Sequence, residues 1–481
     1  MVSTYDEFYI GGGWERPRSR ERNTVRSPNT RETVGEVPAG APEDIDAAVA
    51  AARRQFDDPA GWSRMDVAER AAVLHRFADE IAKRAGETAT AVSTQNGMPI
   101  AMAMQVEAVF PEFLLRYFAD LARDTPVEER RPGVRGGTTV VTASPVGVVA
   151  AIVPWNGPQT QSMLKVAPAL AAGCCVVLKP APETVLDAYL TAQAAEAAGL
   201  PPGVLNVVPG NGLVGAHLVG HPGVDKVSFT GSTRAGREIG ETCGRLIRPV
   251  TLELGGKSAS IVLDDADLSS VADAFFDATL ALSGQICHLG TRVLAPRSRY
   301  REIVDFVSDL ASSAPIGSSL DPGTRVGPLV SERQRSRVES YIARGVAEGG
   351  RITVGGRRPD GMDAGWFVEP TVFTELDNST TLAREEIFGP VLTVIPYSDT
   401  DEAIAIANDS DYGLGGTVWT TDEERGEAVA KRVETGTIGV NFYANDPGAP
   451  FGGVKASGIG REFGPEGLRA VQTLKSIYRR S

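Results

Sequence analysis

A regular alternation between residues 146 and 254 constrains this chain more than any other feature. Short β-rich runs stand at VGVVAAIVP (146–154), CCVVLKP (174–180), VLNVVP (204–209), KVSFTG (226–231) and PVTLEL (249–254). Helix-like stretches such as TVLDAYLTAQAAEAAG and STRAGREIGETCG separate them. Strand, helix, strand repeated in this way predicts a doubly wound parallel sheet with right-handed crossovers. The runs are apolar on both faces, as strands must be when helices cover both sides. After ELGGK (253–257) the alternation restarts with SIVL, a helix from about 268 to 283, RVLAP and a helix near 300–312. It continues to NFYAN at 441–445 and predicts a second α/β domain. Upstream, residues 42–125 place apolar side chains at three- and four-residue steps, the pattern of helices. The charged, Pro- and Gly-rich break TPVEERRPGVRGG is followed by TTVVT, which reads as an unpaired strand edge.

At 481 residues the chain exceeds one core and calls for two or three domains. Its 42% apolar and 23% charged residues are those of a soluble globular protein. A net charge of −13 argues against nucleic acid or an anionic membrane as partner, since both want a basic surface. No run of about 18 apolar residues predicts a membrane span, and the first residues lack the pattern of a secretory signal. Four Cys in so long a chain make no disulfide framework and point to a reduced, cytoplasmic setting. With four His and no HExxH or paired His/Cys spacing, no catalytic metal is expected.

Five fragments carry the chemistry. In GQICHLGTR (284–292), Cys287 lies at an element boundary in a Gly-flanked loop, where backbone N–H groups can support a thiolate nucleophile. The plain alternative is a small buried hydrophobe. Glu253 ends an apolar strand ahead of Gly-Gly; it can be a desolvated general base or a structural cap. Asn156 of PWN can donate to an oxyanion or simply occupy a turn. FTGSTRAG (229–236) runs from strand into helix and offers a phosphate seat. Gly210, Gly212 and Gly215 spell a literal GxGxxG, read here as a turn and helix start near the adenine end of a nucleotide rather than the pyrophosphate cradle.

Taken together, PWN, LKPAPET, FTGST, ELGGK, GQxC with Arg five residues after the Cys, EEIFGPV and PFGGVKASGIGRE resemble the aldehyde dehydrogenase superfamily. They occur in one order along nearly the whole chain. The resemblance implies a Rossmann-type parallel-sheet cofactor domain, an α/β catalytic domain and a small β oligomerisation extension. It implies Cys287 as nucleophile, the Asn156 amide and Cys287 N–H as oxyanion donors, and Glu253 as the base that hydrolyses the thioester. Lys165 and Glu462 match positions that pass protons outward, or form a structural ion pair. Cofactor contacts are implied at Ile152, Pro154, Trp155, Lys179, Gly212, Gly231, Ser232, Gly236, Leu254, Glu386 and Phe388. NAD is the expected cofactor and a small-molecule aldehyde the expected substrate. NADP stays open because Pro182, followed by Glu183, stands where NAD-preferring relatives often carry Glu. The implied domains are 1–125 with 146–254, returned to by 446–467, for the cofactor; 255–445 for catalysis; and 126–145 with 468–481 for subunit pairing into a homodimer or homotetramer. Gly157, Gln159 and Gln161 predict a wider, more polar substrate tunnel than is usual. His288 follows the nucleophile, but adjacent side chains diverge, which argues against it as the base. Competing readings are a CoA-acylating semialdehyde dehydrogenase, which typically lacks the ELGGK Glu, and a silent nucleotide-binding member.

Overall fold

The computed structural model describes residues 2–480. The five β-rich runs become β1 (Val148–Ile152), β2 (Cys175–Lys179), β3 (Leu205–Val207), β4 (Lys226–Thr230) and β5 (Val250–Glu253). Helices α1 (Pro158–Ala172), α2 (Leu186–Ala197), α3 (Gly212–Gly220) and α4 (Thr233–Leu246) connect them in turn. All neighbours among the five are parallel, in the spatial order β5-β4-β1-β2-β3. The winding therefore reverses between β1 and β4. That switch point opens a crevice at the carboxyl ends of the strands, where PWN and FTGST emerge. Short antiparallel strands extend both edges: Phe8–Ile10 and Gly13–Glu15 beyond β3, Gly458–Ile459 beside β5.

The helices Pro42–Asp57, Val67–Lys83 and Phe110–Asp124 share one core with this sheet, through Ile45, Leu74, Phe77, Leu114 and Phe118. Side chains of this kind stabilise by roughly 1.5–3 kcal/mol each when fully buried. Just before Phe110 the helix widens into a π-turn over Met104–Val109.

A second parallel sheet contains β6 (Ala259–Val262), β7 (Arg292–Pro296), β8 (Thr371–Thr374), β9 (Val391–Tyr397) and β10 (Gly416–Trp419), ordered β8-β9-β7-β6-β10. Two expectations need correction. The helix expected over 268–283 covers only Ala272–Thr279. Asp267 captures Ser269 and Ser270 in a turn ahead of it, and Leu282 and Ser283 adopt left-handed backbone angles behind it. TTVVT is not an unpaired edge: Thr138–Pro145 is the middle strand of a three-stranded sheet. The C-terminal strand Gln472–Arg479 pairs with it over eight positions on one side, and Glu128–Pro132 pairs on the other. The open edges belong to those two outer strands.

Candidate active site

Cys287 stands four residues after the left-handed Ser283, whose hydroxyl donates to the Gly327 carbonyl at 2.7 Å and fixes the turn. The loop is pressed against ELGGK. A Cβ on Gly256 would lie 2.3 Å from the Cys287 carbonyl oxygen, so only glycine permits the approach. Arg292 locks the far end; its buried guanidinium donates to Asn378 Oδ1 and to the carbonyls of Lys257, Ile406 and Ala407 at 2.8–2.9 Å. This Arg is a strut of the loop rather than a reacting group. The Cys287 sulfur faces its own N–H and that of His288, but burial and the charges of Glu386 and Glu253 outweigh them. The thiol is pushed well above its ordinary range and needs a base to ionise.

Asn156 follows β1, and its Nδ2 donates to the Gln285 carbonyl at 2.9 Å. An amide carries two N–H donors, so one bond orients the group while the other N–H remains. Gln285 is itself held through Val330 N at 3.1 Å and Leu282 O at 3.1 Å.

Glu253 closes β5. Both its carboxylate oxygens are buried without a side-chain partner, and burial, then the charge of Glu462, holds its carboxyl far above the usual range. Lys165 of α1 bridges toward it, donating to Thr230 Oγ1 at 2.6 Å and pairing with Glu462 at 2.7 Å. The Ser228 hydroxyl lies 3.4 Å from the same Glu462 oxygen. The structure thus brings Glu253, Lys165 and Glu462 into one buried group.

At the switch point Pro154 and Trp155 leave β1, whose last residue is Ile152. Gly231 and Ser232 open α4, where Ser232 Oγ accepts from Ala235 N at 3.3 Å. Gly236 lets that helix close on Leu254, since a Cβ there would lie 2.4 Å from the Leu254 side chain. Lys179 ends β2, donates to the Gly210 carbonyl at 2.7 Å, and is pushed down to about 8 by burial. Gly212 is the first residue of α3, capped by Asn211, so the GxGxxG match is a turn and helix start. Glu386 accepts from Gly256 N at 3.0 Å and is raised to about 7 by burial. Phe388 adopts φ 63° and meets Trp155 edge-on at 5.3 Å. Glu183 pairs with Arg333 at 3.2 Å.

Several side chains escaped the sequence reading. Glu107, in the π-turn, accepts from Gln159 N at 2.8 Å, caps α1, and is raised to about 8 by burial. A Cβ on Gly157 would lie 3.3 Å from its carboxylate and 3.8 Å from Gln161 Cγ. His288 stacks on Tyr443 at 4.2 Å and is pushed down to about 4 by burial, a neutral slab beside Cys287. From it a run of rings passes outward through Phe451, Phe463, Phe110 and half-exposed Phe113, with centroids 6.0–6.4 Å apart. No local pattern announces these contacts, because their partners are distant in sequence.

The chain matches the sequence model of the aldehyde dehydrogenase family over residues 14–477. It is 53% identical over 478 residues to geranial dehydrogenase of Castellaniella defragrans, covering 99% of each chain. It is 42% identical to 3-succinoylsemialdehyde-pyridine dehydrogenase of a Pseudomonas species, covering 98% of each. An aldehyde dehydrogenase of Mycobacterium tuberculosis solved with NAD+ superposes with TM-score 0.97 at 46% identity, covering 100% of this chain and 99% of that one. A mutant of aldehyde dehydrogenase C from Pseudomonas syringae, solved with NAD+ and octanal, gives 0.94 at 40% identity, with 98% and 96% covered. With its fold and its ordered motifs matched across the whole length, the chain belongs to the aldehyde dehydrogenase family and is an oxidoreductase of that class.

Proposed function

We propose that this protein oxidises an apolar aldehyde to its carboxylic acid through a covalent Cys287 thioester, with NAD as hydride acceptor. The observation that carries the reading is Glu253, a buried carboxylate with no side-chain partner on either oxygen, within electrostatic reach of a thiol that burial keeps protonated.

Glu253 takes the thiol proton, and Cys287 Sγ forms a bond to the aldehyde carbon. The carbonyl π electrons move to oxygen, where Asn156 Nδ2–H and the Cys287 N–H receive the negative charge. Loss of the aldehydic hydrogen with its electron pair turns this thiohemiacetal into a thioester. When bound, NAD accepts that hydride. Glu253, ionised again after passing its proton outward, then takes a proton from water as the water oxygen adds to the thioester carbon. The C–S bond breaks, the sulfur regains a proton, and the acid leaves.

The crevice residues suit the cofactor. The Gly231–Ser232 turn places a helix start at the switch point, a seat for phosphate. Glu386 has one oxygen committed to Gly256 N–H, which leaves the other to accept from a ribose hydroxyl. Lys179 would serve the adenosine ribose, with Trp155 and Phe388 flanking the chain between. Glu183 lies near enough to raise the proton affinity of Lys179, and the similar structures solved with NAD+ support NAD as the cofactor.

For the substrate, the aromatic side chains running from Phe113 to His288 supply apolar surface that suits an extended apolar chain. The similarity to a geranial dehydrogenase and to an enzyme solved with octanal supports the same class. The same reading assigns 1–125, 146–254 and 446–467 to the cofactor domain, 255–445 to the catalytic domain, and 126–145 with 468–481 to subunit contacts. Exposed Leu474, Ile477 and Tyr478 on the open C-terminal strand suit a homodimer or homotetramer. The four unpaired Cys suit a reduced cytoplasm.

The test is NADH formation by wild type, Cys287→Ala and Glu253→Gln with geranial, octanal and acetaldehyde. Wild type turns over the first two better than the third. Cys287→Ala is silent, and Glu253→Gln gives at most one NADH per subunit. Turnover by Cys287→Ala overturns the mechanism, and turnover only with added CoA overturns the hydrolytic outcome.

A further inference from the structure

Polar side chains alternate along β4 as Lys226, Ser228 and Thr230, all buried, in a sheet whose strands are mostly apolar. They point to one face, because side chains two apart in a strand do. On β5 the in-register partners of Ser228 and Thr230 are Thr251 and Glu253, so the same face carries a continuous polar stripe that ends on Glu253. Lys165 and Glu462 pack on its near end. Its far end is Lys226, whose amine donates to Thr251 Oγ1 at 2.9 Å and is 3% exposed. Burying an amine, three hydroxyls and an ion pair in a sheet core is costly, and apolar residues would fold as well. The stripe therefore asks for a functional reason.

We infer that Lys226 is a positioning residue for thioester hydrolysis: a second buried cation that, with Lys165, sets the proton affinity of Glu253 along the polar stripe. This rests on the mechanism proposed above. Two carboxylates, Glu253 and Glu462, share the stripe, and Lys165 and Arg461 supply the positive charge set against Glu253. The groups facing the Lys226 amine are Glu462, Cys174 ahead of β2, Cys243 on α4 and Lys165 on α1. Those facing Glu253 are Glu462, Lys165, Arg461 and the Gly453 N–H. Burial pushes Lys226 down to about 8, so it is a cation throughout the acid and neutral range. A cation there eases ionisation of Glu253, and hydrolysis requires the ionised form. Removing it makes Glu253 hold its proton to higher pH. Thr251 precedes Glu253 by two strand positions, which sets the two charges roughly 7–10 Å apart. At an effective dielectric near 20 that separation is worth roughly one to two pH units.

The experiment uses p-nitrophenyl acetate on the full chain without cofactor. An activated ester acylates Cys287 with no hydride step: Sγ displaces p-nitrophenolate, and the acetyl thioester is then hydrolysed. The nitrophenolate burst counts acylated subunits, and the steady phase reads hydrolysis. Lys226→Met keeps the burst amplitude, while the acid limb of the steady phase moves up by roughly one to two pH units and the rate at pH 6 falls about tenfold or more. Lys226→Gln, whose amide can still reach Thr251 Oγ1, moves the limb equally, because charge and not the hydrogen bond is responsible. If either variant gives a full burst with the wild-type pH profile, the inference is overturned and the Cys287 mechanism stands. If wild type gives no burst, the underlying mechanism falls and the inference with it.

Discussion

Under the proposed mechanism, replacing Asn156 with alanine removes one of two donors aimed at the charge that develops on the aldehyde oxygen. Its Nδ2 is tied by one N–H to the Gln285 carbonyl at 2.9 Å, which fixes the direction of the other. A donor oriented in advance costs little reorganisation, and losing one of this kind lowers kcat by about 10²–10³, or 2.7–4 kcal/mol. The oxyanion exists only after Sγ has attacked, so KM should change little while kcat and kcat/KM fall together. A structural cost accompanies it, since the Gln285 carbonyl loses a donor worth roughly 1–3 kcal/mol if left unsatisfied. The assay is steady-state NADH formation normalised to subunits that give an ester burst, which removes any misfolded fraction. Asn156→Asp puts an acceptor where the donor stood and should be no better than alanine. A loss in kcat smaller than about threefold, on fully titrating enzyme, would refute the oxyanion role.

Hydrolysis should rise with pH along a limb whose midpoint lies above the ordinary Glu value of about 4.3, because burial and Glu462 raise the proton affinity of Glu253. A limb at or below pH 5 in the ester steady phase contradicts this. Gly157→Phe sets a ring where even a Cβ would lie 3.3 Å from the Glu107 carboxylate and 3.8 Å from Gln161 Cγ. It should raise KM for geranial tenfold or more while sparing acetaldehyde, as excluded methylenes are worth roughly 1–3 kcal/mol in a tight pocket; equal effects on both aldehydes would show that position 157 does not line the tunnel. Leu474→Glu combined with Ile477→Glu places charge on the open C-terminal strand and should shift the light-scattering mass of the eluting protein toward the monomer. An unchanged mass removes that strand from the subunit contact.

The parallel, doubly wound sheet was legible because each β-rich run is bounded by Gly or Pro and separated by one helix length, whereas the strand order was not. The motifs stood out as Gly-bounded loops at strand ends, and at one of them two backbones touch, as Gly256 and Cys287 do. The helix expected over 268–283 was misjudged because Asp267 and the left-handed pair Leu282–Ser283 override local helical preference at both ends. The three-residue strands Phe8–Ile10 and Gly13–Glu15 are too short to carry a period of their own. Glu107 was hidden because it caps a helix begun some fifty positions later. The polar stripe was visible as alternating Lys, Ser and Thr in KVSFT, yet only the pairing with β5 reveals that it ends on Glu253.

The ion pair between Lys165 and Glu462 joins positions 297 apart. At roughly 5–20 residues per second, synthesis separates the two by about 15–60 s. During that interval the first parallel sheet can already collapse around Lys165, leaving its ammonium without the carboxylate it later meets. Gly458–Ile459, which must zip beside β5, and the C-terminal strand, which must zip beside Thr138–Pro145, also arrive last. A nascent chain halted before these segments emerge carries Cys287 but lacks the environment that governs Glu253. Chemical competence therefore arrives late in biogenesis, when the trailing segment closes over a body that is already folded.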